Sequence, residues 1–428
     1  MTSLDGPKKS CSLAPDLAEV VCENRKVTHL LLKDELLDAQ LLRTIGVAPY
    51  GGADVGECFA TAARVDGTHL TSWYDAWTAT AERVLALADA ELATGRLETA
   101  RGAFFRASNY FRTAGVMLMG TPLDDRLRVT NARQTAVFQK GAALLARAPE
   151  VLQIPYEGTT LPGYHFRVDS DERPRPTVVL VGGYDGTSEE LYFLNGRAAL
   201  DRGYNVLAFD GPGQGAALLQ QGLVLRPDFE TVIAAVVDFL AGRPDTDIRK
   251  VALIGLSLGA YLAPRAASAE HRLAACIADC GSYDLFDSAI ERIPGPLVPG
   301  LRDNNQLARR VLKQILSVLA RQPTAGWALR RGQLVHGVEG PIEYLLALRD
   351  YSLKGRAETI ACPTFVCNAE TDDISTSAPH LFDALTAEKE YVLFRTVDGA
   401  GDHCEAGART LYHALSFGWL DRVLQPDA

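Results

Sequence analysis

Apolar and polar positions follow two different periods along this chain, and the change between them falls near residue 150. From about Thr71 to Ala148 the apolar positions recur at three- and four-residue steps. Trp73, Trp77, Thr80/Ala81, Val84, Ala88 and Leu92 form one such row. That spacing places them on a single face of a helix. Gly95 and Arg96 then punctuate the row. A second stripe follows at Phe104/Phe105, Ser108, Phe111, Gly115 and Leu118, and Gly120-Thr121-Pro122 ends it. A third amphipathic stretch runs to about Leu145. No period repeats three times, so the pattern predicts a compact helical module rather than a solenoid.

From Val151 the period shortens. Gln153 to Tyr156 and Leu161 to Phe166 flank Glu157-Gly158 and predict a hairpin. Apolar runs of strand length then alternate with helical patterns. The runs are Thr177 to Val181, Asn205 to Phe209, Lys250 to Ile254, Ala274 to Asp279, Pro363 to Asn368 and Glu390 to Arg395; Phe229 to Leu240 and His380 to Leu385 read as helices between them. Such alternation predicts an α/β fold, a parallel sheet covered by helices on both faces. The stretch from about 283 to 353 breaks the rhythm. It carries Pro294, Pro296 and Pro299 at its entry and reads as helical over Leu307 to Arg321 and Glu339 to Tyr351. This is an insertion over the top of the sheet, where loops follow strand ends. The predicted organisation is a helical cap module over 1–150 and an α/β core over 151–428, with a helical insertion at about 283–353.

Composition narrows the partners. The 428 residues leave room for one large domain with an added module, and 47% hydrophobic with 22% charged residues describes an ordinary globular protein. A net charge of -10 without a long Lys/Arg block argues against nucleic acid. Met1-Thr2-Ser3-Leu4-Asp5 does not begin a signal peptide, and no apolar run is long enough to span a bilayer. The eight cysteines are scattered without a C-x-x-C, which predicts reduced, mostly buried thiols rather than a metal or disulfide framework. The expectation is a cytoplasmic protein with a small-molecule substrate and no metal, cofactor, nucleic acid or membrane partner.

The chemistry concentrates at three strand ends. Gly255-Leu256-Ser257-Leu258-Gly259 joins the Lys250 to Ile254 strand to a helical stretch in which Pro264 falls in the first turns, where proline costs least. Strand, sharp turn and helix are what a G-x-S-x-G nucleophile requires, with glycines flanking a strained serine. Upstream, Val178 to Val181 runs into Gly182-Gly183-Tyr184-Asp185-Gly186. There the Gly183 or Tyr184 N–H, with the Leu258 N–H, can face a developing oxyanion. Downstream, the Pro363 to Asn368 strand empties into Ala369-Glu370-Thr371-Asp372-Asp373, and Gly399-Ala400-Gly401-Asp402-His403 presents a histidine before the last helix. Ser257, Asp372 and His403 stand in the order of an α/β-hydrolase. His403 would take the serine proton and Asp372 would orient the imidazole, with Asp373 as the rival acid. His336, His380 and His413 are read as structural.

At these residues the chain resembles an α/β-hydrolase group that holds the fungal pigment hydrolases shortening polyketide chains and the bacterial dihydroxypseudooxynicotine hydrolase. Ala107-Ser108-Asn109-Tyr110-Phe111-Arg112-Thr113-Ala114 is similar to the group's R-A-S-x-Y-Y-R-x-A segment. Ala208 to Gly215 and Gly399 to Gly407 extend the likeness, which covers most of the chain from about residue 70. The resemblance implies a helical cap over the site, a Ser-His-Asp triad, no cofactor, and cleavage of a carbon–carbon bond next to a carbonyl, or of an ester, in a bulky small molecule. Acetate elimination or acyl transfer by the same residues is the alternative. The aromatic-rich segment makes Tyr110 and Arg112 candidates for reaching substrate or the seam between cap and core. Asp287 and Glu291 are candidates for the assisting acid found in carbon–carbon hydrolases. Large exposed helices on a capped hydrolase also suit a homodimer.

Overall fold

The computed structural model describes residues 30–66, 69–171 and 173–424. The readings made on Met1 to Asp5, Cys11 and Cys22 lie outside them. Eight strands form one sheet: β1 Glu150–Tyr156, β2 Thr159–Phe166, β3 Arg175–Val181, β4 Asn205–Phe209, β5 Thr246–Leu256, β6 Ala275–Asp279, β7 Thr364–Ala369 and β8 Lys389–Phe394, in the order β1-β2-β4-β3-β5-β6-β7-β8. β1 and β2 make the predicted hairpin, turning at Glu157 and Gly158 with φ of 40° and 79°. β2 meets β4 antiparallel, and every later pairing is parallel.

The central strands are apolar throughout because both faces are covered. Along β3, Val178 and Leu180 join one core cluster while Val179 and Val181 join the other. β4 divides the same way, with Val206 and Ala208 on one side and Leu207 and Phe209 on the other. This is the two-residue period of a strand buried on both sides.

Among the described residues five α-helices precede the sheet: α1 Glu35–Gly46, α2 Val55–Ala62, α3 Leu70–Ala93, α4 Leu97–Val116 and α5 Asp125–Ala142. The last three follow the predicted stripes; α1 and α2 add to them. Asp34 and Asp54 cap the first two, accepting from the backbone N–H of Leu37 and Gly56. These helices do not keep a core of their own. Trp73, Trp77, Phe104 and Phe111 belong to the same apolar cluster as Tyr164, Phe166, Tyr192 and Phe193 on one sheet face. Phe138 of α5 sits 5.1 Å from the Tyr164 ring and Phe105 of α4 sits 5.4 Å from Phe193. Burying each such ring contributes about 1.5–3 kcal/mol, so the helices are held to the sheet along their length.

On the opposite face lie α6 Glu230–Ala241 and α7 Gly259–Ala267. The insertion holds α8 Leu285–Ile290, α9 Gln306–Leu319, α10 Pro323–His336 and α11 Pro341–Ala347, around a small cluster of Phe286, Ile290, Leu301, Leu312, Leu316, Ile342, Leu345 and Leu348. The predicted helix over Glu339 to Tyr351 is shorter than expected, because Pro341 fixes its first turn and a 3₁₀ turn at Leu348–Asp350 ends it. α12 Ala378–Ala384 and α13 Arg409–Leu424 complete the chain. Among the described residues no helix is long and apolar enough to cross a membrane.

Candidate active site

Ser257 directly follows β5 with φ +59°, a left-handed conformation that costs a non-glycine residue about 1–3 kcal/mol. The flanking glycines make the turn possible. A Cβ on Gly255 would lie 1.9 Å from the Gly259 carbonyl oxygen, and one on Gly259 would lie 2.3 Å from that of Val181. The Ser257 N–H donates to the Asp279 carbonyl at the end of β6, 3.1 Å away.

Ser257 Oγ lies 2.9 Å from His403 Nε2, and His403 Nδ1 lies 2.7 Å from Asp372 Oδ2. The other carboxylate oxygen of Asp372 accepts from the N–H groups of Ile374 and Ser375. Burial pushes the Asp372 carboxyl up, but the charge and hydrogen bond of His403 outweigh it and hold the group at about 2. Burial likewise lowers His403, and the Cys404 sulfur and Asp372 carboxylate carry it the other way, above its ordinary value. Asp373 meets Arg292 through its backbone carbonyl. Of the two adjacent acids, Asp372 is the one that reaches the imidazole.

The histidine turn is strained and tied down. Cys404 and Glu405 have φ of 54° and 45°, and Cys280, just beyond β6, has 60°. Arg409, on the first turn of α13, donates to the Asp279 carboxylate, the Cys404 carbonyl and Asn195 Oδ1, each at 2.8 Å. One buried guanidinium therefore joins the strand end that holds the serine N–H to the turn that holds the histidine. The N–H and hydroxyl of Thr371 both donate to the Gly401 carbonyl, joining the acid loop to the same turn. Cys280, Cys404 and His403 place possible metal-ligand atoms within 4.8 Å of one another. Both His403 nitrogens are engaged by Ser257 and Asp372, and burial pushes the Cys280 thiol far up.

The glycine-rich turn after β3 passes beside the serine. A Cβ on Gly183 would sit 3.0 Å from Ser257 Cβ and 3.3 Å from its Oγ. Leu258, directly after the serine, leads into α7. The Tyr184 hydroxyl meets His336 Nε2 at 2.9 Å, and the Arg331 guanidinium lies over the Tyr184 ring. Burial holds His336 down at about 4. Gln214 Nε2 donates to the carbonyl of Gly182 at 2.5 Å. Arg43 of α1 grips Glu190 with two hydrogen bonds of 2.7 and 2.6 Å and Asp185 with one of 3.1 Å. Arg331 approaches Asp185 from α10 at 3.4 Å. Arg43, Gln214 and Arg331 are absent from the sequence reading. Only Gln214 carries a signal, since it lies in the Ala208 to Gly215 segment that extends the family likeness.

The lesser candidates divide. Arg112 is buried at the seam, 3.5 Å from Glu190, and lines a cavity of about 30 Å³ with Gln134, Asp185 and Gly186. Tyr110 does not reach that cavity's lining. Its hydroxyl donates to Glu57 Oε2 at 2.8 Å and accepts from the Asp54 N–H at 2.9 Å, inside the helical layer. The substrate-contact reading of Tyr110 is corrected on that ground. Asp287 is spent on Arg302 and Lys354, and Glu291 accepts from Thr376. Asp287 is thus engaged by cations of the insertion and its end, and Glu291 by the loop after β7 that carries Asp372.

Residues 178–411 match the Alpha/beta hydrolase family and residues 64–288 match the Esterase FrsA-like family. The chain is 37% identical over 417 residues to Hydrolase LUC6 of Fusarium sp, covering 92% of this chain and 98% of that one. It is 36% identical over 419 residues to 20-hydroxy-prefusarin hydrolase FUS2 of Gibberella moniliformis, covering 92% and 97%. The crystal structure of 2,6-dihydroxy-pseudo-oxynicotine hydrolase shares the fold with a TM-score of 0.71 at 24% identity, over 89% of this chain and 95% of that chain. A parallel sheet with the serine turn at the end of its central strand, matched over more than half the chain, places this protein in the alpha/beta hydrolase family, a family of enzymes.

Proposed function

We propose that the chain hydrolyses a carbon–carbon bond next to a carbonyl, or an ester bond, in a bulky polyketide-like molecule, with Ser257, His403 and Asp372 as its triad. The continuous hydrogen-bonded path from Ser257 Oγ through His403 to Asp372 carries this reading. Ser257 Oγ attacks the carbonyl carbon while His403 Nε2 takes its proton, and the carbonyl π pair moves onto oxygen. The N–H groups of Leu258 and of Gly183 or Tyr184 receive that oxyanion. Collapse breaks the bond to the enolate or alkoxide, which leaves with the proton from His403. Water, deprotonated by the same nitrogen, then releases the acid and restores the serine. Asp372, its carboxylate favoured by the charge and hydrogen bond of His403, fixes the tautomer and stabilises the imidazolium.

The helices before the sheet act in this reading as the cap, over the 1–150 module. Phe111 and Arg112 of α4 line a small cavity with Asp185 and Gly186 of the turn after β3, which supports that reading of the helical layer. The substrate class rests on the fungal relatives, one of which is named for 20-hydroxy-prefusarin. An aryl phosphonate should modify Ser257 alone, read by mass spectrometry of its peptide, and block turnover of a panel of aryl esters and β-diketones. Inactivation without a modified Ser257 would sink the reading.

A further inference from the structure

Two thiols that the proposed mechanism leaves unused meet beside the histidine turn. Cys404 follows His403 directly, and Cys280 follows Asp279 at the end of β6. The Cys404 N–H donates to Cys280 Sγ at 2.9 Å, and the two sulfurs and a ring nitrogen of His403 lie within 4.8 Å of one another. A backbone hydrogen bond from one cysteine onto the other's sulfur already sets the pair within reach of a disulfide. The Cys404 sulfur also lies 4.0 Å from the Asp279 carbonyl oxygen, the same atom that accepts from the Ser257 N–H. Cys367 on β7 faces the Asp279 carboxylate instead, at 3.8 Å.

The pair is asymmetric. Cys280 is fully buried, whereas Cys404 is 8% exposed and the His403 side chain beside it 25%. Burial pushes the Cys280 thiol far up. Burial works the same way on Cys404, but the Cys280 thiol and the His403 charge outweigh it and hold that thiol below its ordinary value. Cys404 is therefore the thiolate that meets a small oxidant entering past His403, and Cys280 is the thiol behind it.

We propose that Cys280 and Cys404 are a peroxide-oxidisable pair whose disulfide takes His403 out of line with Ser257. The loss of turnover rests on the proposed triad; the bond itself does not. The Cys404 thiolate attacks one oxygen of hydrogen peroxide, the O–O bond breaks, and the departing hydroxide takes up the proton that Cys404 gave up, leaving a sulfenic acid. The Cys280 sulfur then attacks that sulfur, the S–O bond breaks, and the hydroxyl leaves with the Cys280 proton as water. The thiols lose two electrons and two protons, and peroxide is reduced to two waters. Drawing the sulfurs from non-bonded contact to about 2.05 Å must move the turn that carries His403. Contacts of 2.9 and 2.7 Å to Ser257 and Asp372 do not survive such a shift unchanged.

Hydrogen peroxide applied to the full chain should link the Cys280 and Cys404 peptides in an unreduced digest, with fragment ions placing the bond at Cys280 rather than Cys276. Aryl ester turnover and phosphonate labelling of Ser257 should fall together by about 100-fold, and dithiothreitol should restore both. Cys280→Ala removes the resolving thiol, so the same treatment should carry Cys404 on to a sulfinic acid, and the turnover lost should not return with dithiothreitol. Inactivation without the linked peptides, a bond from Cys404 to Cys367, or a linked chain with full turnover overturns the proposal. A Cys280→Ala chain that recovers like the parent overturns it too. If that variant does not fold, linkage and recovery in the parent decide. A reduced chain whose Ser257 takes no phosphonate counts against the triad instead, and the pair is then judged by its peptides alone.

Discussion

The two sides of the candidate site are built differently. On the serine–histidine side, geometry comes from the backbone: two glycines admit close approach of neighbouring chain, Ser257 and Cys404 take left-handed φ, and Ser257 N–H is held by a strand-end carbonyl. On the side of the proposed oxyanion hole, the turn after β3 is braced by side chains from distant segments, Arg43 from α1, Gln214 from the loop after β4 and Arg331 from α10. The first kind of construction leaves its mark in short sequence patterns. The second leaves little: Gln214 falls in a motif segment, but Arg43 and Arg331 are ordinary polar residues until the fold sets them beside the turn.

The largest effects should come from the backbone-built side. Ser257→Ala should fold normally and lose about 10⁴-fold or more in kcat, measured with an aryl ester at matched folded fraction. Unchanged turnover would redirect the chemistry to elimination with His403 as the base. Asp372→Asn should cost about 10⁴-fold, since the amide stabilises the wrong tautomer, whereas Asp373→Asn should stay within about tenfold. The reverse ranking would mean that the loop register differs in the working enzyme.

That contrast also accounts for what could be read beforehand. The parallel strands were legible because two-sided burial makes them continuously apolar, and the serine, acid and histidine because each sits at a strand end or glycine turn. β5 begins at Thr246, earlier than read, because Thr246 pairs with Arg175 ahead of a register shift, and the polar Asp247 and Arg249 between them and the apolar run hide that start. Tyr110 was misplaced for a related reason. An aromatic-rich helix looks oversupplied for its own packing when the sheet face it shares is not in view.

Breaking the side-chain-built half should act on stability and rate together. Arg43→Gln leaves the buried Asp185 and Glu190 carboxylates without their principal cation. Removing one partner of such a pair costs about 3–5 kcal/mol. Denaturant melts should show that loss, and kcat on aryl esters should fall about tenfold as the oxyanion turn loosens. A melt shift with unchanged kcat would mean that the turn holds its shape without the brace.

His336 gives a pH-dependent version of the same test. Its folded value of about 4 lies below the ordinary 6.5, so the unfolded chain takes up the proton first. The contribution to stability is complete above pH 6.5 and is lost as pH falls toward 4, reaching a loss of about 2 kcal/mol at pH 5. His336→Gln should flatten the fall in melting temperature between pH 7 and pH 5 relative to the parent. Parallel profiles would remove His336 from the account, leaving the other buried histidines, His165 and His413, to supply the slope.

The smallest effect belongs to Tyr110, which lies beyond the seam. Its hydroxyl joins Glu57 to the Asp54 N–H, and Glu57 also pairs with Arg106, so the group links α4 to the start of α2. Tyr110→Phe keeps the ring against Trp77, 5.5 Å away, and deletes those two hydrogen bonds and the long one from Cys58 Sγ at 4.0 Å. A buried donor and acceptor left unmatched cost about 1–3 kcal/mol, and Glu57 recovers part of that through Arg106. The melting temperature should therefore fall by a few degrees while kcat and KM stay within about twofold of the parent. A drop in kcat at unchanged stability would put Tyr110 in contact with substrate. The helical layer would then have to rearrange to turn that hydroxyl away from Glu57 and toward Ser257.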